Sequence, residues 1–250
     1  MYKTEFLTLL LCALAALLHG LSGFGFPMIS TAALSLFYPL QTAIAMVLIP
    51  CIIMNLSVLG THEKASISLL YYVKNYWSLI GSSLIGSLFG VMLLLYIDES
   101  YLKLLLGMVI WLYVLDQFRS EPLHLDRSIK NMLIFGLLAG VIGGATNAMA
   151  PFLMMYLLST QHSKNDIVMI TNISFLASKL IQFSILYPTL LTFDQAQIYL
   201  LCAITFFSLF FIYLGSKIRI HISQQKFKRL ILVILTVLGT NALWQGINMI

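Results

Sequence analysis

The sequence predicts an all-α polytopic membrane protein made of two inverted repeats, each a broken or re-entrant helix hairpin followed by three transmembrane helices. Three observations predict it. Of 250 residues, 60% are apolar and only 9% are charged, where a soluble domain carries about a quarter charged residues. The apolar residues gather in stretches long enough to cross a bilayer. The chain also matches itself at an offset of about 124 residues.

The same composition excludes a soluble enzyme and a disordered chain. The net charge of +5 is spread over loops rather than gathered on one groove-reading face, so nucleic acid is not an expected partner. Cys12, Cys51 and Cys202 lie inside apolar runs and read as packing residues, not as an extracellular disulfide framework. The Gly-x-Gly runs lack a following Lys-Ser/Thr, and no metal-ligating cluster is visible, so no cofactor or metal is expected.

The long apolar stretches are 6–61, 75–97, 101–118, 131–161, 166–187, 194–216 and 230–250. The first exceeds one span and is broken at 20–27, leaving flanks 6–19 and 28–38 before a span at about 40–61. The fourth is broken at 140–151, leaving flanks 131–142 and 152–161. Apolar runs of roughly a dozen residues are too short to span and read as re-entrant. Hydrocarbon cannot satisfy the backbone groups freed at a break, so each break must be buried in protein or line a wet cavity. The breaks therefore mark an interior site.

The self-match places Pro27 on Pro151, Asn55 on Lys179 and, with a one-residue gap, Gly90 on Gly215. Residues 101–104 fall on 227–230. The first repeat is then 1–118, a linker follows at 119–130, and the second repeat is 131–250. Residues 1–19, with Lys3 and Ala13-Leu14-Ala15-Ala16, also resemble a cleavable signal peptide. Recurrence of the element at 131–142 argues that it is kept.

Loop charge sets the topology. If each broken segment crossed once, Lys and Arg would divide six against seven, with no bias. If each is a hairpin returning to its starting side, only Lys3 and Lys103 face one side and the other eleven loop cations face the other. The positive-inside rule selects the hairpins. Both termini are then outside, and the 119–130 linker and basic 217–229 loop are cytoplasmic. The halves have opposite orientations, an arrangement that puts sites at the midplane between the repeats.

The runs Gly20-Leu-Ser-Gly-Phe-Gly-Phe-Pro27 and Gly140-Val-Ile-Gly-Gly-Ala-Thr-Asn147-Ala-Met-Ala-Pro151, the latter followed by Tyr156-Leu157-Leu158, resemble the paired signatures of the TauE/SafE family. Gly86-Ser-Leu-Phe-Gly90 and the stretch from Glu99 to Leu106 fit the same pattern, and the resemblance covers about residues 8–245. It implies a permease for small anions, notably sulfite and organosulfonates, often working as an exporter in the cytoplasmic (inner) membrane. The chain departs from the pattern at Ala145-Thr-Asn-Ala-Met-Ala150, where glycines are usual.

The residues make a physical case for an anion as well. Around Ser22, Gly23, Gly25 and Pro27, and again around Asn147 and Pro151, the chain re-enters a helix, with Pro suited to a first turn and Ser or Asn to a cap. Two helix N-termini at the midplane would offer N–H groups to an anion, although the same residues also suit plain tight hairpins. Lys179 lies in the middle of 166–187, where a cation costs roughly 2.5–3.5 kcal/mol. No carboxylate lies at that depth, so its expected partner is backbone carbonyl, water or a substrate anion. Asn55, its repeat mate, is expected to face the same cavity. Thr171 and Asn172 share the helix with Lys179 and either line a path or bond between helices. His19, at the edge of the first break, is a candidate for proton or anion contact.

Ser82, Gly86 and Gly90 form a stripe of small residues for close packing inside the chain or against a second copy in a homodimer. The 217–229 loop suits anionic lipid headgroups. Rival readings are a passive anion channel, a non-transporting assembly protein, and an intramembrane serine hydrolase built on Ser22. The last lacks a placed base, because His62, His124, His162 and His221 fall in polar loops.

Overall fold

In a computed structural model, residues 2–22, 25–60, 65–118, 125–160, 162–218 and 224–250 are described. Among them the elements are α1 (Tyr2–Ser22), α2 (Phe26–Leu34), α3 (Leu40–Gly60), α4 (Ala65–Asn75), α5 (Trp77–Tyr96), α6 (Glu99–Asp116), α7 (Ile129–Thr146), α8 (Ala150–Ser159), α9 (Lys164–Leu191), α10 (Gln195–Ile218) and α11 (Gln224–Met249). Within α1, α3, α5, α7, α9, α10 and α11 the apolar run is long enough to cross a membrane. The chain is an all-helical, multi-pass membrane protein.

Two expectations about length need correction. The first arms of the broken segments are not short: α1 has 21 residues and α7 has 18, about 27 Å or more at 1.5 Å per residue. Gly20, Gly140, Gly143 and Gly144 do not end these helices but lie inside them. The breaks proper fall just before Phe26 and at residues 147–149. The second arms, α2 and α8, have only 9 and 10 residues. Residues 101–118, expected as a span, fall in α6, which starts at Glu99, carries Glu99 and Lys103 in its first turns, and is not among the helices apolar enough to cross a membrane by composition. Helix α4 was not expected; its Leu70 and Tyr71 are exposed, as on a short helix lying in the membrane interface.

Local chemistry fixes the helix ends. Gly25 takes φ 105° before α2, a conformation that favours glycine, and Pro27 sits in the first turn. Asn147 ends α7 in the left-handed region (φ 63°), its N–H donating to Gly143 O at 2.9 Å. Asn147 was expected to cap the helix that follows; it caps the helix that precedes, and Met149 stands at the N-cap of α8 with no side-chain cap bond. Asp98 caps α6, Ser128 caps α7, and Ser163 forms a reciprocal capping box with Asp166 on α9.

Hydrogen bonds sort the helix ends into two levels. At one level Glu99 Oε1 accepts from Leu40 N at 2.9 Å, Gln41 donates to Thr189 at 2.8 Å, and Lys103 bonds Gln245 at 2.8 Å and pairs with Glu99 at 3.0 Å. At the other, Tyr72 donates to Asp166 Oδ1 at 2.8 Å and Arg127 Nε donates to Thr160 O at 2.8 Å. The Arg127 bond joins the chain just ahead of the Ser128 cap of α7 to the residue after α8, so the two ends of the α7–α8 segment lie together.

Helix pairing crosses between the halves. Helix α1 lies along α10, and α7 along α5, while α3 packs on α9 and α6 on α11. In the α5–α7 contact Gly86 and Gly90 face Gly140 and Gly144 backbone to backbone, and in the α1–α10 contact Gly215 faces Gly20. The small-residue stripe is thus used inside the chain, where absent side chains let helices approach closely.

Candidate functional site

Where the α7–α8 break meets the middle of α9, the interior turns polar. Lys179 is 4% exposed, and Asn147 and Gln182 are equally shut away. The Lys179 ammonium donates to Asn147 Oδ1 and to Gln182 Oε1, the latter at 2.6 Å. Gln182 Nε2 lies within hydrogen-bond distance of Gly143 O (3.1 Å), Gly144 O (3.0 Å) and Asn147 Oδ1 (3.0 Å). Asn147 Nδ2 donates to Thr31 Oγ1 on α2 at 2.7 Å. One network therefore links the short helix of the first half, the break of the second half and the centre of α9.

The electrostatics follow from the geometry. The last carbonyls of α7 form the negative end of its dipole, and the ammonium sits beside that end. Side-chain amide oxygens hold the lysine, where the sequence left backbone carbonyl, water or a substrate anion open. An ammonium has three N–H groups, and among the described residues only two of those on Lys179 have acceptors and no carboxylate contacts it.

Further polar groups lie along the same helices. Ser87 and Ser178 share a hydrogen bond of 2.7 Å between α5 and α9. The Gln41–Thr189 bond and the nearness of Cys51 to Lys179 set α3 antiparallel to α9. Asn55, four residues after Cys51, thus lies toward the α9 N-terminus from Lys179, as do Thr171 and Asn172. All three are buried, and among the described residues Asn55 Nδ2, Thr171 Oγ1 and Asn172 Oδ1 have no hydrogen-bond partner. Asn172 Nδ2 donates back to Val168 O at 2.8 Å. Orphaned buried polar atoms cost about 1–3 kcal/mol each unless a water or ligand meets them.

The first break is built differently. His19 Nδ1 accepts the Phe26 N–H at 3.3 Å, so one free N–H of α2 is taken and that ring nitrogen is an acceptor. Pro27 and Pro151 each lie in a first helical turn. Ser22 is the last residue of α1, but its side chain, like all of Gly23, lies outside the described residues. Sequence reasoning missed Gln182 and Thr31. Gln182 had a readable signal, an amide three residues after an intramembrane lysine, whereas nothing distinguished Thr31 before α2 was placed.

Together the spans and the buried cationic centre define a multi-pass membrane protein with a polar interior site. The sulfite exporter TauE/SafE family model matches residues 8–242, nearly the whole chain, and the chain belongs to that family. No curated protein and no solved structure gives a significant match.

Proposed function

We propose that the chain is a permease that carries a small anion (sulfite, an organosulfonate or a similar ion) out of the cell through the cytoplasmic membrane. The observation that carries this reading is Lys179, a buried ammonium held only by neutral amide oxygens, with one N–H unclaimed among the described residues. A lone cation at depth is costly, and an anion that visits it removes the cost. Asn55, Thr171 and Asn172, with unmatched polar atoms, extend the polar lining toward the level of Asp166. Family membership supports the substrate class.

The proposed architecture is a pair of inverted repeats with both termini outside. It is supported by the exchanged pairing, in which Gly90 meets Gly144 as Gly215 meets Gly20, each pair one repeat from the other. The loop cations support the orientation, because the level holding Lys103 is poor in them and the level holding Arg127 is rich. Lys217, whose ammonium lies 4.6 Å over the Tyr213 ring, and exposed Arg229 would then meet anionic headgroups. Export needs no coupled ion, since a monovalent anion leaving a negative interior gains about 2.3 kcal/mol per 100 mV.

The test is flux from liposomes loaded with sulfite, methanesulfonate, sulfoacetate or acetate under an imposed potential. Saturable flux of one class, abolished by Lys179→Ala in folded protein, supports the permease. Flux that does not saturate points to a channel. Unchanged flux in Lys179→Ala removes the lysine from the path.

A further inference from the structure

We infer that Gln182 is a built-in competitor of the transported anion: its side-chain oxygen occupies, on the Lys179 ammonium, the place an anion oxygen takes, and its release loosens α7 from α9. The inference rests on the permease reading and adds a residue and a coupling step to it.

Gln182 is fully buried, and both ends of its amide are engaged. Its oxygen accepts from Lys179 at 2.6 Å, and its NH2 group lies among three acceptors, Gly143 O, Gly144 O and Asn147 Oδ1, at 3.0 to 3.1 Å. One side chain thus binds the cation and clasps the C-terminal end of α7. The two jobs are linked because the amide is rigid and planar. The ammonium already makes a charge-assisted bond to the neutral amide oxygen, and an anion oxygen adds the attraction of unlike charges in a low-dielectric interior, so it displaces the Gln182 oxygen. That oxygen is then a buried acceptor without a donor, an unfavourable arrangement relieved by rotation of the amide. Rotation withdraws the NH2 group from the two glycine carbonyls. The α7–α8 segment keeps its bond to Thr31 of α2 through Asn147 and the Lys179–Asn147 bond to α9, but loses the Gln182 clasp on its last carbonyls. The ligand class is a monovalent oxyanion, matched to the single positive charge in reach.

The test compares apparent KM for whichever anion of the panel the wild-type protein moves. Gln182→Glu installs a permanent carboxylate beside Lys179 and is expected to raise KM by about tenfold or more, because the internal rival is now charged. Gln182→Met removes the rival oxygen and is expected to lower KM several-fold at reduced maximal rate. A merely structural glutamine would leave KM unchanged in both, with loss confined to folded yield or maximal rate, and that result overturns the inference. A second measurement needs no variant: adding the transported anion to wild-type protein should speed amide hydrogen exchange at residues 144–148, and unchanged or slower exchange overturns the coupling step. Lys179→Ala with wild-type flux, or no flux of any anion, sinks the permease reading itself. Flux abolished in Lys179→Ala with KM unmoved in both Gln182 variants sinks only the role of Gln182.

Discussion

Asn147 Nδ2 donates to Thr31 Oγ1 at 2.7 Å, across a separation of 116 residues and inside the membrane interior. The bond places the left-handed cap of α7 against the short helix of the other half. Asn147 also receives Lys179 and Gln182 on its oxygen, so loss of the Thr31 hydroxyl leaves a buried N–H without an acceptor. Thr31→Val, similar in shape, is expected to cost about 1–3 kcal/mol. That corresponds to a fall of roughly 2–10 °C in unfolding midpoint for a chain of this size, measured in detergent. An unchanged midpoint would mean that water replaces the hydroxyl.

Glycine at 90 and 215 serves contact rather than flexibility. A Cβ on Gly90 would meet Ala145 N and Gly144 Cα, both at 2.9 Å, and one on Gly215 would come within 3.1 Å of Gly20 Cα. Backbone cannot swing aside, so Gly90→Ala and Gly215→Ala should both reduce the yield of folded protein and lower its midpoint. Gly81, with nothing within 4 Å of its added Cβ, is the control. Gly81→Ala should be neutral or stabilising by up to about 1 kcal/mol, from helix propensity alone. Equal behaviour of all three would remove the close-packing account of α1–α10 and α5–α7.

The glycines also explain how much of the fold was legible. Charge-free runs announce spans because hydrocarbon excludes charge, and the multi-pass class follows directly. The glycines at 20, 140, 143 and 144 suggested early breaks, yet α1 and α7 run through them. In a bilayer the gain from close helix contact outweighs their poor propensity, and a single sequence does not reveal which helix will lie alongside. The site was half legible. Lys179 stood out as a charge at depth, whereas Gln182 and Thr31 are neutral residues that resemble ordinary helix-to-helix bonding until the α7–α8 break is brought against α9. Asn147 was visible as a residue, but its role as a C-cap depends on one positive φ angle.

Lys179→Met separates stability from transport. Removing the ammonium relieves roughly 2.5–3.5 kcal/mol of intramembrane charge cost. It also orphans the Gln182 oxygen, at about 1–3 kcal/mol, while Asn147 Oδ1 keeps its bond from Gln182. The two terms nearly cancel with relief slightly ahead, so the unfolding midpoint should stay level or rise by a few degrees while anion flux is lost. A large fall in midpoint would mean that the lysine is a structural tie.

The base of the second hairpin predicts a pH dependence. His162, between α8 and α9, lies against the Tyr76 ring at 5.3 Å and the Tyr156 ring at 6.3 Å, with Nδ1 2.7 Å from Thr160 Oγ1. Its Nε2 and the Tyr156 hydroxyl are buried and have no hydrogen-bond partner among the described residues. Burial, and then the Arg127 guanidinium, hold its pKa below the ordinary 6.5, against smaller opposing effects from Leu157 O and Asp166. A depressed histidine binds fewer protons folded than unfolded, so its contribution to stability is complete above about pH 6.5 and is lost as pH falls through the folded value. The unfolding midpoint should therefore drop on acidification below pH 6.5. His162→Gln, which cannot titrate, should flatten that part of the profile. The comparison is made between the two proteins, since Asp166 titrates lower in both. Identical slopes for wild type and variant between pH 6.5 and 5 would show that the imidazole carries no linked proton.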